Sequence, residues 1–446
     1  MPSVLWLRRD LRLHDNPALL AAAAGAGDDE VVVLVVADRR LWAMDAAPRL
    51  TYLQQSWRAL DEALGGRLVV RVGDPATVVP ALVREVQAPA VHVSAATEPY
   101  GRRRDAAVAG ALGGVPLVAT GSPYAVGPGL LRTGGGTPYR VFTPFLRTWL
   151  AHGWPAPAPT ARTARWARLT SDPFPEPPAV DVRLPRAGED AARARWSAFV
   201  GDRLTRYDQD RDRVDLDGTS RLSAALRFGE LHPRTLLSDL QDDTPANTRF
   251  ISQLAWREFH ADVLWHQPRA AYHSLHLQAP EDSWAQGDEE AERLAAWCAG
   301  RTGYPFVDAG MRQLLAEGWL PGRVRMVVAS FLVKDLHVRW QRGAAWFMSR
   351  LVDGEVANNQ LSWQWVAGTG LDAAQYVRVF NPVTQGLRFD PQGAYVRRWV
   401  PELGHVPGPG VHRPWLLDPP APGYPPPLVD HATERLVTLE GARRLR

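Results

Sequence analysis

Two tryptophans stand two residues apart, Trp363 and Trp365, in the run DGEVANNQLSWQWVAGTGLD from Asp353 to Asp372. On a helix, positions i and i+2 point about 200° apart, so the two rings face opposite ways. The spacing predicts a helix that starts near Ala357 and stops at Gly368. Aromatic residues on both sides require burial on both, or burial on one and presentation to an aromatic ligand on the other. Two core tryptophans are the alternative.

Three further groups could do chemistry. GTSRLS, Gly218 to Ser223, follows the acidic run DRDRVDLD and sets two hydroxyls and an arginine where a helix is expected to open. Free backbone N–H groups and the positive dipole end suit a phosphate there, with a plain N-cap by Thr219 or Ser220 as the alternative. QLAWREFH, Gln253 to His260, puts Trp256 beside Arg257, about 100° apart on a helix. One can stack on a base while the other pairs with an anion, against the alternative of a core aromatic next to a solvated charge. Arg325 can pair with the acidic turn Asp353 to Glu355, and such a pair beside a redox ring can stabilise an anionic reduced form.

The elements that must position these residues fall into two kinds. Short β-branched runs at Ser3–Leu7, Val31–Val36, Leu68–Val72, Ala90–Val93 and Pro116–Ala119 alternate with helical stretches such as Pro17–Ala24 and Arg49–Leu64. That pattern predicts an α/β doubly wound parallel sheet over residues 1–128. No GxGxxG follows the first strand and no GxxxxGK[ST] occurs, so a glycine phosphate cradle is excluded. Residues 129–195 read as an interdomain linker, proline-rich from Ala151 to Arg186 and expected on the surface. Residues 196–446 are expected to be all-helical, with Val324, Val327, Phe331 and Val338 on one side of GRVRMVVASFLVKDLHVRW. No further long domain is expected after the proline-rich and glycine-rich tail from Pro407.

Composition limits the class. At 446 residues the chain is too long for one core. No apolar run approaches the roughly 20 residues of a membrane span and no signal peptide is legible, so a cytoplasmic protein is expected. The single cysteine, Cys298, excludes a disulfide framework and a cysteine-cluster metal site, and is expected to be buried. Of 51 basic residues only Lys334 is lysine, a genomic bias. Residues 196–446 carry 28 basic and 30 acidic groups, so nucleic acid would have to bind through a local arginine patch.

With WLRRDLRLHDNPAL at Trp6, TPYRVFTPF, GTSRLS, WREF, RTGYPFVDAGMRQL, RVRMVVASFLVKDL, NNQLSWQWVAGTG, RVFNPVTQG and WVPELGHVPG in this order, the chain resembles the DNA photolyase and cryptochrome family. It is most similar to the class I cyclobutane pyrimidine dimer photolyases. The resemblance implies FAD in a bent form within the helical domain. Carried over residue by residue, Tyr207, Thr219, Ser220, Arg221, Leu222 and Ser223 hold its pyrophosphate and ribityl region. Arg257, Trp319, Arg325, Asp353, Gly354 and Glu355 line the rest, and Asn359 lies near the reactive ring nitrogen. Photolyases carry asparagine there and plant cryptochromes aspartate.

The implied reaction is repair of UV-damaged DNA: excited reduced FAD passes an electron to a cyclobutane dimer, the ring splits and the electron returns. The lesion must be flipped out of the duplex, at a cost of a few kcal/mol. The resemblance assigns Trp256 and Trp365 to stacking on it, Met326 to its edge, and Gln253 to contact with it. Arg211, Arg323, Arg378 and Gln385 match positions that touch substrate or the DNA backbone. Trp363, Trp340 and Trp284, innermost to outermost, match the electron relay to oxidised FAD. No metal is implied, and a monomer is expected.

Some positions depart from the family pattern. Gln253 replaces a glutamate, and a neutral amide cannot supply a proton. Gly322 replaces an asparagine in the block Trp319 to Arg323. Pro321 and Met326 stand where (6-4) photolyases carry histidines. In the first domain EPYGRRRD, Glu98 to Asp105, and Arg49 resemble the 8-hydroxydeazaflavin-binding relatives. Gly101 replaces the glutamate of those that bind methenyltetrahydrofolate, and Ala96 replaces an expected aspartate. An 8-hydroxydeazaflavin antenna is therefore favoured. A cryptochrome-like photoreceptor without repair activity and a single-strand-specific photolyase are the rival readings. Asn359 and the lack of a long extension after Gly408 argue against the photoreceptor; Gln253 and Gly322 argue mildly for it.

Overall fold

The β-branched runs form one parallel sheet, order β3-β2-β1-β4-β5, from β1 (Ser3–Trp6), β2 (Val31–Ala37), β3 (Val69–Val72), β4 (Val91–Val93) and β5 (Leu117–Ala119). Val4 pairs with Val32 on one side and Val91 on the other. The inner strands are buried on both faces, which is why they read as continuous apolar runs. The computed structural model describes residues 1–161, 164–240, 242–276, 280–371 and 378–444. Asp372, the last residue of the tryptophan run, lies outside the described residues.

Between the strands run α1 (Pro17–Ala26), α2 (Ala47–Ala63), α3 (Pro75–Val86) and α4 (Pro99–Ala111). Pro17, Pro75 and Pro99 open their helices where an N–H would be orphaned anyway. Asn16 and Asp74 cap two of them by accepting from Leu19 N and Ala76 N. The strand order reverses between β1 and β4, the topological switch point where open α/β sheets leave a crevice. The proline-rich segment expected on the surface also pairs with the sheet: Val31 N donates to Arg165 O, Ala167 N to Val31 O, and Asp172 N to Val70 O.

By packing, the chain divides into two compact units. The first is Met1–Val180, Leu184–Asp202 and Ser220–Pro268; the second is Asp181–Arg183, Arg203–Thr219 and Arg269–Arg446. The first adds α5 (Phe142–His152), α6 (Ser223–Phe228) and α7 (Pro245–His266) to the sheet. Packing thus groups part of the region expected as the helical domain with the sheet. The second unit is helical. It contains α8 (Gly287–Ala299), α9 (Pro305–Glu317), α10 (Gly322–Ser330), α11 (Trp340–Arg350), α12 (Val356–Ala367) and α13 (His431–Arg443). Every described strand lies in the first unit.

Three sequence expectations need correction. GTSRLS does not set Thr219 and Ser220 at a helix start, because α6 begins only at its last residue, Ser223, and runs six residues. Leu222 is the N-cap residue and no side chain caps it, so the Thr219 or Ser220 cap is not formed. GRVRMVVASFLVKDLHVRW is not one helix: α10 ends at Ser330 and the chain widens into a π turn over Phe331–Asp335. Val324, Val327, Phe331 and Val338 are nonetheless fully buried. Cys298 is only half-buried, at the edge of the core, and that burial pushes its thiol up to about 11.

The π turn aims Lys334 inward. Its ammonium donates to the carbonyl of Ala367 at 2.7 Å, the last residue of α12, where the helix dipole is negative. The next residue, Asp335, pairs with His431 of α13, and Thr438 Oγ1 donates to Lys334 O at 2.6 Å. Burial alone lowers the Lys334 pKa, to about 8.

This shift fixes a sign. Between about 8 and the ordinary 10.5 the unfolded chain holds more protons at Lys334 than the folded one. Stability relative to Lys334→Met should therefore rise as pH rises through that window and level off above it. Urea melts of both proteins across the range read the difference; a difference that stays flat would show that the ammonium is solvated.

Candidate functional site

In the second unit α10, α11, α12 and the acidic turn between the last two enclose a cavity of about 490 Å³, open on one side. Arg325 and Met326 supply one wall, Phe347 and Leu351 a second, and Asn359, Ser362, Trp363 and Val366 a third. Asp353, Gly354 and Glu355 form its end. The expected ion pair is present: Arg325 Nη2 donates to Asp353 Oδ2 at 2.7 Å, and Arg325 Nε to Leu320 O at 2.9 Å. Asp353 Oδ1 is buried and has no hydrogen-bond partner. Such an acceptor costs about 1–3 kcal/mol until a donor on a ligand meets it. Glu355, also buried, accepts from Asn358 Nδ2.

Asn359 has a defined orientation. Its Nδ2 donates to Ala344 O of α11 and to Gln360 Oε1, each at 3.0 Å. Both amide protons are engaged, so Oδ1 is what this side chain can offer a ligand.

The two tryptophans of α12 face apart, as the spacing demands. Trp363 is 2% exposed, with Phe347 edge-on at 5.1 Å and Trp297 at 6.0 Å between ring centroids. Its outer ring carbons lie over Gly343 of α11, where a Cβ would sit 2.2 Å from them. Trp365 is half-buried. Between them Gln364, fully buried, accepts from Leu275 N and donates to Ala270 O, tying residues 270–275 to the helix. The relay candidates run from buried to partly exposed. Trp340, one turn before Gly343, is 1% exposed and donates from Nε1 to Ser274 Oγ at 2.9 Å. Trp284 is half-buried under the guanidinium of Arg339, the neighbour of Trp340 in sequence.

The remaining carried-over residues of this unit form a second group. Arg323 Nη2 donates to Asp212 Oδ2 at 2.8 Å, and Arg211 lies 3.7 Å from the other oxygen of that carboxylate and against the ring of Tyr207. Asp212 therefore holds two of the expected backbone-contacting arginines together. Gln385 is half-buried with its Oε1 unpartnered, and Arg378 is exposed. Thr219 follows Gly218, whose Cα packs so close to Asp210 O that a Cβ would come within 2.6 Å. Trp319 is half-buried beside Gly318, whose carbonyl accepts from Val352 N next to the acidic turn.

Ser220, Arg221, Leu222, Ser223, Gln253, Trp256 and Arg257 belong to the first unit. Arg221 has a positive φ of 50°, and Leu222 is buried. Arg257 is buried, donates to Pro123 O and Leu226 O, and lies 4.5 Å from the Tyr124 ring centroid. Gln253 precedes Trp256 by three residues on α7, on the same side. A residue that spacing did not single out lies behind Trp256: Phe142 stacks on it with centroids 3.7 Å apart and planes 11° from parallel.

At the switch point of the sheet, β1 ends at Trp6, whose ring lies between the guanidinium groups of Arg8 and Arg104. Arg8 pairs with Asp105 and Arg9 with Glu98, while Tyr100 OH donates to Asp38 at the end of β2. Burial lowers the Arg8 pKa to about 10, opposed by Asp105. Arg49 is buried in α2. Ala96 Cβ stands 2.9 Å from where a Cβ on Gly101 would be, so a larger residue there needs a shift. Among the described residues no three or more histidine, cysteine or acidic side chains gather as metal ligands, and no helix is long and apolar enough to cross a membrane.

Comparison with known proteins places this geometry. Residues 3–163 match the family model for DNA photolyase, and residues 250–444 match that for the FAD binding domain of DNA photolyase. The deoxyribodipyrimidine photo-lyase of Streptomyces griseus is 42% identical over 460 residues, covering 99% of each chain. That of Escherichia coli is 37% identical, again over 99% of each chain. Among solved structures, a bacterial class III photolyase from Agrobacterium tumefaciens is similar with a TM-score of 0.90 and 32% identity, over 100% of this chain and 97% of that one. A cryptochrome from Synechocystis gives 0.88 and 28%, over 100% and 99%.

The contact at Gly343 is testable by size. Gly343→Ala should lower stability by about 1–3 kcal/mol through overpacking against Trp363. Gly322→Ala, where a Cβ meets nothing within 4 Å, should leave the melting temperature equal or higher. Equal losses in the two variants would contradict the packing account.

Proposed function

The chain belongs to the DNA photolyase family, and on that premise we propose that it repairs cyclobutane pyrimidine dimers in DNA by light-driven electron transfer from FAD. The observation that carries this reading is the cavity in which an unpartnered Asp353 oxygen, the paired Arg325 and the free acceptor of Asn359 converge beside Trp363. These groups fit a flavin, whose ring has an N–H and carbonyl edge. Bound, reduced and excited by light, FAD supplies the electron that splits the dimer and takes it back afterwards. Arg325 meets developing negative charge, and Asp353, held by it, accepts from a ring N–H or a hydroxyl. Asn359 adds a neutral acceptor; aspartate there would lose both donors to α11 and Gln360 and bring a second charge close to Asp353.

Trp284, Trp340 and Trp363 pass electrons inward from the protein surface. Trp256 and Trp365 stack on the flipped lesion, Met326 covers its edge, and Gln253 hydrogen-bonds it without donating a proton. Arg211, Arg323 and Arg378, with Gln385, hold the strand around it. To binding of the rest of the cofactor we assign Tyr207, Thr219 and Trp319 of the second unit and, separately, Ser220 to Ser223 and Arg257 of the first. We keep 1–128, 129–195 and 196–446 as antenna module, linker and FAD-binding module, in a monomer acting in the cytoplasm.

The assay is the light-dependent loss of cyclobutane dimers from defined single-stranded and duplex oligonucleotides by protein carrying reduced FAD. Repair of both is expected. Repair of the single strand alone would move the reading to a strand-restricted enzyme, and repair of neither would overturn it in favour of a photoreceptor. Trp365→Ala should weaken binding of damaged DNA by about 1–3 kcal/mol. Trp363→Phe should abolish photoreduction yet spare repair by pre-reduced protein; the opposite pattern would reverse the two assignments.

The switch-point crevice near Glu98 and Arg49 suits a second, antenna chromophore. The Ala96–Gly101 contact, where a glutamate Cβ would need a shift, favours 8-hydroxydeazaflavin over methenyltetrahydrofolate. Protein made in a deazaflavin-producing host should show that absorption band beside the flavin's, and the flavin spectrum alone would count against it.

A further inference from the structure

Trp256 is half-buried, and its indole is covered on one face. Phe142, the first residue of α5, is 7% exposed and lies parallel to it at 3.7 Å between centroids, 11° off coplanar. Phe259 meets the indole edge-on at 5.7 Å, and His260 lies tilted against it at 5.5 Å. The plate is itself fixed. Phe142 packs edge-on against Phe259, and two turns further along the same side of α5 Trp149 Nε1 donates to Glu258 Oε2 at 2.6 Å. Glu258 also accepts from Ala125 N and Val126 N, so α5 cannot slide along α7 without breaking a fully buried carboxylate network.

An indole free to turn about χ1 and χ2 loses that freedom when a base stacks on it. One already stacked on a ring and packed against two more loses less, and the stacked face is closed to a base. We propose that Phe142 is a positioning residue for lesion binding, the back plate that holds the Trp256 indole and leaves a single face for the flipped dimer. This rests on the reading that Trp256 receives the lesion. The three rings then form a stack of Phe142, Trp256 and pyrimidine. The free energy of the first pair, about 0.5–1.5 kcal/mol for an aromatic contact, is present before DNA arrives.

The test uses the FAD-loaded full chain, with Phe142→Leu, Phe142→Tyr and Trp256→Ala compared at equal FAD content. Dark binding of a dimer-containing oligonucleotide and of its undamaged twin is measured, together with the KM and kcat of repair and the near-UV circular dichroism of the stacked indole. For Phe142→Leu we expect about 2- to 12-fold weaker binding of the damaged strand, the equivalent of one aromatic contact. KM should rise with little change in kcat, undamaged DNA should bind as before, and the near-UV band should shrink. Phe142→Tyr should restore all of these. Equal weakening for both oligonucleotides, or unchanged damaged-strand affinity while Trp256→Ala still loses it, would overturn the back-plate role alone. Unchanged affinity in Trp256→Ala would instead remove the premise, and the proposal with it.

Discussion

The close approach of the Trp363 ring to bare backbone at Gly343 sets the register on which the cavity depends. Any side chain at 343 would push α12 away from α11. The same register puts Asn359, one turn earlier on α12, against the carbonyl of Ala344, the residue after Gly343. Two adjacent positions of α11 thus fix two positions of α12 four apart, one aromatic and one polar. The turn joining the helices must then carry Asp353 back to Arg325, and Val352 N bonded to Gly318 O pins where that turn begins. Ion pair, amide and indole are consequences of a single helix contact. Burial of a ring against a glycine is harder to deform than a hydrogen bond between flexible side chains.

How much of this was legible follows from which constraints are local. The five strands and the parallel sheet were, because strands buried on both faces must be apolar throughout. The limits of α12 were too: the helix spans Val356–Ala367 and closes at Gly368 with a positive φ of 82°, against an expected Ala357 to Gly368. The Arg325–Asp353 pair followed from the rule that a buried charge needs a partner. The π turn was not legible, because Phe331–Asp335 keeps helical apolar spacing while inserting a residue, and only its tertiary partners favour the wider turn. GTSRLS misled for a related reason: hydroxyls are good caps in general, but Arg221 takes a positive φ and delays the helix to Ser223. Phe142 gave no signal at all, since its partner Trp256 is distant in sequence.

Lys334 shows how composition can still point to a position. In a chain whose other basic residues are all arginine, one lysine persists at a buried site offering one carbonyl acceptor. A guanidinium brings five donors in a rigid plane and cannot shed its charge, so four donors would be left without acceptors. The ammonium is compact, and it can lose its proton when burial becomes too costly. The exception to the genomic bias is therefore a steric and electrostatic statement about the end of α12.

Two tryptophans, one in each unit, share a construction. Trp363 and Trp256 both have protein against one side of the indole, a glycine backbone in one case and a phenylalanine ring in the other. Trp363 also lines the cavity that holds Asp353 and Asn359. A ring held this way contributes its contact energy to a ligand without first losing rotational freedom. The elements behind the rings are tied in turn: α11 packs on Trp363 through bare backbone at Gly343, and α5 is held to α7 by the Trp149–Glu258 bond, so displacing either ring means breaking a buried contact.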